Sequence, residues 1–284
     1  MNKVLTIAGS DSGGGAGLQA DLKTFEALGV YGGSVVTAVT AQNTRGVHAV
    51  YAVPHDVVAA QLDAVLEDIA WDAVKTGMLA NAGVVQVVAG RLERRPDLPV
   101  VVDPVLISKS GHALLEPEAM DALKTRLFRL ALVVTPNAPE AEALSGVAVR
   151  DLQGARDAAV ALHRYGARYV VVKGGHLGGP ECVDTVFDGE RFETVRGPRH
   201  PTRHLHGTGC TFASAVAAGI ARGLTVVQAV RLARAVVDAA VQAADTLGVG
   251  HGVGPLDHKA AARSSAVRAI LDCETPRDAN DARG

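Results

Sequence analysis

Short apolar runs alternate with amphipathic stretches along most of the chain. Runs such as residues 4–8 and 33–41 are apolar or β-branched and end at a glycine or a polar residue, as buried strands do. Between these two runs, apolar residues recur at helical spacing over residues 18–28, and Gly29 ends the helix. The repeated order of strand and helix predicts an α/β fold with a mostly parallel central sheet and helices on both faces.

The same patterns predict the remaining elements. Strands are expected at 48–53, 73–78, 99–102, 131–135, 168–172, 183–187 and 191–195, and helices at 57–69, 84–92, 117–128, 138–144, 151–165 and 226–247. The last two strands read as a hairpin. No linker divides the chain, so we expect a single domain over residues 1–258. A C-terminal extension, 259–284, follows, and its polar end from Glu274 is expected to be disordered.

The most informative stretch is a glycine turn at residues 206–209 that leads into a helix of small residues ending near Arg222. A helix N-terminus has backbone N–H groups without helical partners, and glycines let an anion approach them. Phosphate is the usual occupant of such a site. Cys210 lies at the start of this helix, where a thiolate is favoured. The alternative is an ordinary helix cap with Cys210 as a packed apolar residue.

A second glycine loop, residues 9–17, follows the first strand. It is not a dinucleotide fingerprint, because Leu18 stands where the third glycine is needed, and it is not a Walker loop, because no lysine lies between Lys3 and Lys23. Either the loop lies against a flat small molecule, with Asp11 contributing a carboxylate, or it is a flexible connection.

Polar residues follow the predicted strands one after another. In a parallel sheet, ligands bind outside the carboxyl ends of the strands. These ends supply carboxylates, an amide, a lysine and the glycine turn: Asp11, Gln42, Asp103, Asn137, Lys173 and Gly207. That set suits a phosphate donor with Mg²⁺, which prefers oxygen ligands. Phosphoryl transfer needs positioning, charge neutralisation and a base.

Composition and charge exclude several classes of protein. With 28 basic and 30 acidic residues the net charge is −2, which does not favour binding to nucleic acid or an anionic membrane. Three widely spaced cysteines, Cys182, Cys210 and Cys273, form neither a disulfide framework nor a zinc pattern. The chain has no long apolar run and no signal-peptide pattern at its start, so we expect a cytoplasmic protein.

Taken together, these motifs resemble the hydroxymethylpyrimidine and hydroxymethylpyrimidine-phosphate kinases of thiamine biosynthesis, which have a three-layer ribokinase-like fold. The resemblance extends from Leu5 to about His258. It rests on residues 5–11 (LTIAGSD), 14–25 (GGAGLQADLKTF), 41–47 (AQNTRGV), 76–79 (TGML), 103–105 (DPV), 135–137 (TPN) with Glu140, 173–176 (KGGH), 206–211 (HGTGCT) and 248–255 (GVGHGVGP).

The resemblance implies a role for each matching position. Gln42 would hydrogen-bond an aminopyrimidine edge and Met78 would pack against its ring. The rest of the pocket would be lined by Gly9, Asp11, Ala16 and Val105. Hydrated Mg²⁺ and the phosphates of ATP would be held by Asp103, Asn137 and Glu140, with Lys173 neutralising phosphate charge. The anion hole would be formed by Gly207, Thr208 and Gly209, and Cys210 stands where most ribokinase-like relatives have an aspartate base. We also expect a homodimer.

The expected function is therefore ATP-dependent phosphorylation of 4-amino-5-hydroxymethyl-2-methylpyrimidine and then of its monophosphate. One alternative is a pyridoxine or pyridoxal kinase on the same scaffold, which Gln42 disfavours. Another is a pyrimidine-binding module without turnover, which the intact Asp103, Glu140, Lys173 and Cys210 disfavour. Singly, each residue has a structural explanation. Three histidines, His176, His204 and His206, have no metal-binding spacing and are interpreted as loop residues.

Overall fold

The computed structural model describes residues 1–106 and 116–272. Its strands are β1 Lys3–Asp11, β2 Tyr31–Asn43, β3 Gly46–Ala52, β4 Ala73–Thr76, β5 Val100–Val102, β6 Val133–Val134, β7 Tyr169–Val172, β8 Glu181–Phe187 and β9 Phe192–Pro198. They form one nine-stranded sheet in the order β3-β2-β1-β4-β5-β6-β7-β8-β9. Neighbours are parallel from β2 to β7, and β3, β8 and β9 pair antiparallel at the two edges. The predicted mostly parallel sheet is confirmed.

The first six helices lie between strands along the chain, and the last four follow β9. They are α1 Gly17–Ala27, α2 His55–Asp68, α3 Ala82–Leu92, α4 Pro117–Ala122, α5 Ala138–Ser145, α6 Leu152–His163, α7 Thr208–Ala221, α8 Val226–Gln242, α9 His258–Arg263 and α10 Ser265–Asp272. Asp151 caps α6 as expected, because its side chain accepts a hydrogen bond from Gly154 N. Among the described residues, no helix combines the length and apolar character needed to cross a bilayer.

Two hydrophobic cores lie on opposite faces of the sheet. Side chains alternate between the faces of a strand, so Val100 and Val102 of β5 join one core and Val101 joins the other. Helices α2 to α6 cover the first core, and α1 with α7 to α10 cover the second. The continuous apolar runs of the sequence are explained by burial on both faces.

One predicted helix, residues 117–128, is irregular. Helix α4 ends at Ala122 and continues as a π-helical turn, Leu123–Leu127, and a 3₁₀ turn, Phe128–Leu130. The wider turn lets Phe128 N donate to Leu123 O. The buried side chains of Leu123, Leu127 and Phe128 thereby all reach the first core.

The C-terminal extension packs on the domain as far as it is described. Helices α9 and α10 contact α8 and bury Ala261 and Val267 in the second core. The segment expected to be disordered, together with Cys273, lies outside the described residues.

Candidate active site

A cavity of about 320 Å³ opens at the carboxyl ends of β1, β2, β4, β5 and β7, beside the first turn of α7. All the residues predicted for the site line it: Gly9, Asp11, Ala16, Gln42, Met78, Asp103, Val105, Asn137, Glu140, Lys173, Gly207, Thr208, Gly209 and Cys210. Residues far apart in the chain therefore meet at the carboxyl ends of the parallel strands, which is where a parallel α/β fold binds ligands.

Gly9 and Met78 form part of the cavity wall by direct packing. A Cβ at Gly9 would lie 2.9 Å from Met78 Sδ, so the glycine makes room for the thioether. Met78 also belongs to a small apolar cluster with Ala38 and Ala80. The side chain thus serves the core and offers the cavity a polarizable, adaptable surface.

The glycine loop after β1 is organised by the buried carboxylate of Asp11. Its oxygens accept hydrogen bonds from the backbone N–H groups of Gly13, Gly15 and Ala16 at 2.8 to 3.0 Å. His206 Nε2 lies 2.9 Å from Asp11 Oδ2. Burial raises the pKa of the Asp11 carboxyl, but the bonds from His206 and the backbone outweigh burial and hold the pKa below its usual value. The loop is therefore fixed by Asp11, whose oxygens are already engaged by protein donors.

The predicted anion hole forms at the N-terminus of α7. Gly207 is the N-cap residue with φ +86°, and a Cβ there would lie 1.8 Å from Gly15 O, so only glycine fits. Thr208 Oγ1 donates to Leu205 O at 2.7 Å, which secures the turn. A Cβ at Gly209 would lie 3.4 Å from Lys173 Nζ. The positive end of the helix thus faces the lysine ammonium across a small space.

Lys173 and Asp103 form a buried ion pair, with 2.8 Å between Lys173 Nζ and Asp103 Oδ1. Burial lowers the pKa of Lys173, but the charges of Asp103 and Glu140 raise it above its usual value overall. Asp103 Oδ2 is buried without a hydrogen-bond partner among the described residues. Within residues 1–106 and 116–272, no group of three His, Cys, Asp or Glu side chains lies close enough together to hold a metal ion.

Asn137 and Glu140 form a capping box at the start of α5. Asn137 Oδ1 accepts from Glu140 N at 2.9 Å, and Glu140 Oε2 accepts from Asn137 N at 2.8 Å. Glu140 is buried and lines the cavity. Each residue therefore has a structural role as a cap, and the metal-binding role stays a prediction.

Cys210 occupies the first turn of α7, half-buried at the cavity wall. Burial raises the pKa of its thiol to about 12, although the positive charge of Lys75 lowers it, and the charges of Asp21 and Asp103 add to the rise. The expectation that the helix N-terminus favours the thiolate is therefore wrong for the protein without ligands. Loss of hydration outweighs the two influences that lower the pKa, the charge of Lys75 and a backbone hydrogen bond from Gly17.

The sequence patterns missed Lys75 and its partner Asp21. Both side chains are fully buried, and Lys75 Nζ lies 2.8 and 3.0 Å from the two carboxylate oxygens of Asp21. Two signals could have found them. Lys75 interrupts the apolar run of β4, and Asp21 lies on the apolar face of α1, three residues after Leu18 and four before Phe25.

His206 was interpreted as a loop residue, but it lines the cavity between two site residues. Its Nε2 contacts Asp11 Oδ2 and lies 3.2 Å from Gln42 Nε2. Its place directly before the anion-hole glycine was the available signal, because a side chain there must lie near the ligand.

Comparison with known proteins agrees with this geometry. Residues 11–257 match the family described as phosphomethylpyrimidine kinase. The hydroxymethylpyrimidine/phosphomethylpyrimidine kinase of Rhizobium meliloti is 52% identical over 256 residues, covering 89% of this chain and 96% of that protein. The bifunctional thiamine biosynthesis protein ThiED of Geobacter sulfurreducens is 52% identical over 259 residues. That alignment covers 91% of this chain but only 52% of that longer protein.

A solved structure supports the same relationship. The ADP complex of pyridoxal kinase from Bacillus subtilis superposes with a TM-score of 0.85 at 38% identity, covering 93% of this chain and 100% of that chain. The likeness therefore extends over nearly the whole chain rather than over the cavity alone.

Proposed function

The chain belongs to the phosphomethylpyrimidine kinase family and has its ribokinase-like fold, and on that premise we propose that it uses ATP to phosphorylate 4-amino-5-hydroxymethyl-2-methylpyrimidine and then the monophosphate, in thiamine biosynthesis. The observation that carries this proposal is the combination of surfaces in one cavity. Met78 and Gln42 offer an apolar wall and an amide suited to a small ring, and α7 with Lys173 offers an anion site.

The residues of the chain would perform three tasks in this reaction. The N-terminus of α7, from Gly207 to Gly209, would hold a phosphate through backbone N–H groups. Lys173 would neutralise negative charge as the phosphoryl group is transferred. In the first phosphorylation Cys210 would accept the proton of the hydroxymethyl group, whereas the monophosphate accepts the second phosphoryl group through a phosphate oxygen. Phosphoryl transfer depends mainly on such positioning and charge neutralisation, so these residues provide the kinds of group that the reaction requires.

Magnesium fits the cavity as a partner of ATP. The unpartnered buried oxygen of Asp103 is a hard ligand near Lys173, with Asn137 and Glu140 also at the wall. Mg²⁺ is commonly held by one or two carboxylates together with substrate phosphates and water. The ion would supply charge neutralisation at the phosphate oxygens, and Asp103, Glu140 and Asn137 would hold it.

The proposal is tested by ATP consumption with candidate phosphoryl acceptors. Purified protein is assayed with the hydroxymethylpyrimidine, its monophosphate, pyridoxine and pyridoxal under identical conditions. The proposal requires the highest kcat/KM with the pyrimidines. Pyridoxal kinase is the second candidate, because a solved pyridoxal kinase superposes so well. Preference for pyridoxal would replace the proposal with that candidate, and ATP use with none of the four acceptors would favour a binding module.

A Gln42→Met variant tests substrate recognition. If Gln42 binds the aminopyrimidine edge, kcat/KM for the hydroxymethylpyrimidine should fall about 10- to 100-fold, because an unpaired polar contact costs roughly 1–3 kcal/mol. The kcat/KM for pyridoxine, which lacks the amine, should fall much less. Equal losses for both alcohols would remove Gln42 from substrate selection.

A Glu140→Gln variant tests the metal site. The amide oxygen can still accept from Asn137 N, so the cap should persist while the charge is lost. We expect the Mg²⁺ concentration for half-maximal rate to rise several-fold, since an amide is a poorer ligand for a hard cation. Glu142→Gln is the matched control, because Glu142 accepts from Val149 N and does not line the cavity. An unchanged Mg²⁺ dependence in Glu140→Gln would leave Glu140 as a cap only.

The homodimer stays a prediction. It is supported by the edge strand β3, which exposes Val50 and Tyr51. The cytoplasmic location also stays a prediction.

A further inference from the structure

We propose that His206 is a positioning residue for substrate selection, which fixes the side-chain amide of Gln42 in the orientation that the aminopyrimidine edge requires. This inference rests on the proposed function, because it concerns the same substrate and the same cavity. His206 is distinct from the residues assigned to phosphate, metal and proton transfer.

The imidazole of His206 is held in place from several sides. Its Nε2 lies 2.9 Å from Asp11 Oδ2 and 3.2 Å from Gln42 Nε2. A Cβ at Gly15 would lie 2.5 Å from the ring Cδ2, so the ring packs closely against the glycine loop, and Pro255 lies beside the same glycine. The largely buried ring has little freedom to turn away from Gln42.

The hydrogen on His206 determines which amide atom of Gln42 can face it. The Asp11 carboxylate, whose other donors are backbone N–H groups, only accepts hydrogen bonds. His206 Nε2 must therefore carry a hydrogen and donate it. A nitrogen that donates cannot accept from the amide nitrogen of Gln42, so the atom of Gln42 beside His206 is best the amide oxygen.

The hydroxyl of Thr40 leads independently to the same orientation. It has a single hydrogen, which it donates to Ser10 O at 2.8 Å. The second amide atom of Gln42, 3.3 Å from Thr40 Oγ1, must then be a donor. Turning the amide by about 180° around its last bond places the oxygen beside His206 and the nitrogen beside Thr40. The single hydrogen on His206 Nε2 then faces two acceptors, Asp11 Oδ2 and the amide oxygen of Gln42, and the amide nitrogen donates one hydrogen to Thr40 Oγ1.

In this orientation Gln42 presents an acceptor and a donor to the cavity in a fixed order. The edge of the aminopyrimidine carries the complementary pair, an exocyclic amine that donates and a ring nitrogen that accepts. With the amide reversed, its nitrogen would face the amine of the substrate, donor against donor, and its oxygen would face the ring nitrogen, acceptor against acceptor. By holding one order, His206 selects a ring with an amine beside a ring nitrogen, which pyridoxine does not have.

The experiment compares substitutions at His206 with one at His204. In His206→Leu, KM for the hydroxymethylpyrimidine should rise roughly 10- to 100-fold, with a smaller change in kcat and in KM for ATP. His206→Gln places an amide N–H near the same point and should recover much of the loss. His204 accepts from Gly254 N in the same segment but does not line the cavity, so His204→Leu should leave this KM near the wild-type value.

A double-mutant cycle separates positioning from loop packing. In a Gln42→Met background, His206→Leu should raise KM little further, because there is no amide left to orient. The same rise in both backgrounds, or matching losses in His206→Leu and His204→Leu, would overturn the inference while the kinase function stood. If His206→Leu does not fold, His206→Asn, whose amide is too short to reach Gln42, takes its place. A wild-type protein that consumes no ATP with the pyrimidine would instead refute the proposed function.

Discussion

Replacing Lys75 by methionine is expected to lower the free energy of unfolding by about 3–5 kcal/mol. The change leaves Asp21 as a fully buried carboxylate without its ammonium partner. The hydroxyls of Thr6 and Ser214, which donate to Asp21 at 2.6 and 2.7 Å, are not enough to solvate that charge. Equilibrium unfolding in urea, followed by circular dichroism, measures the loss.

Two further variants show whether charge is the cause. Lys75→Met/Asp21→Asn removes both charges and keeps an acceptor for the two hydroxyls, so it should lose less than Lys75→Met alone. Arg91→Gln breaks the solvent-accessible pair with Asp63 and should change stability only slightly, because water and salt screen that pair. A Lys75→Met loss no larger than that of Arg91→Gln would contradict the expectation.

The pH dependence of this contribution follows from the pKa of Lys75. Burial alone would lower that pKa, but the charge of Asp21 raises it above its usual value. A lysine with a raised pKa in the folded state stabilises the fold fully below its unfolded pKa, and the contribution is lost as the pH rises through the folded pKa. The ion pair should therefore stabilise the protein throughout the neutral range.

Local patterns predicted the fold well because a short segment of sequence is enough to identify each strand or helix. The apolar runs became β1, β2, β4, β5 and β7, and the helical spacing gave the helices that cover both cores. The prediction failed where tertiary packing, and not the local sequence, determines the backbone conformation. The π-helical turn at Leu123–Leu127 accompanies the burial of Phe128 in the same core, and no propensity of those residues specifies it.

The site was predictable wherever a residue followed a strand directly, as Asp103 and Lys173 do. The contacts that the sequence did not reveal are between residues far apart in the chain. His206 meets Asp11 across 195 positions, and Lys75 meets Asp21 across 54. Hydrogen-bond partners of this kind depend on how whole elements pack, and so does the burial that raises the pKa of Cys210.

Replacing Cys210 by alanine should reduce turnover about 10²- to 10⁴-fold, the usual contribution of a general base. The binding of ATP should change little, because Gly207, Gly209 and Lys173 remain to hold phosphate. Turnover is measured by coupled ATP consumption and binding by calorimetry. Cys182→Ala is the matched control, since Cys182 is buried in β8 away from the cavity. Near-wild-type turnover in Cys210→Ala would show that the thiol has only a packing role.

The pH profile tests the same role without removing the side chain. Because the pKa of Cys210 is about 12, only a small fraction is thiolate at neutral pH, and a base acting as thiolate becomes more abundant about tenfold per pH unit. In the wild-type protein, kcat should therefore rise steeply between about pH 6 and 9. Cys210→Asp should retain part of the activity with a flatter profile, because a carboxyl group, whose ordinary pKa is about 3.9, ionises at a much lower pH than a thiol even when the same burial raises its pKa. Identical profiles for the wild type and Cys210→Asp would mean that this position does not supply the base, and that transfer relies on the anion hole, Lys173 and the metal alone.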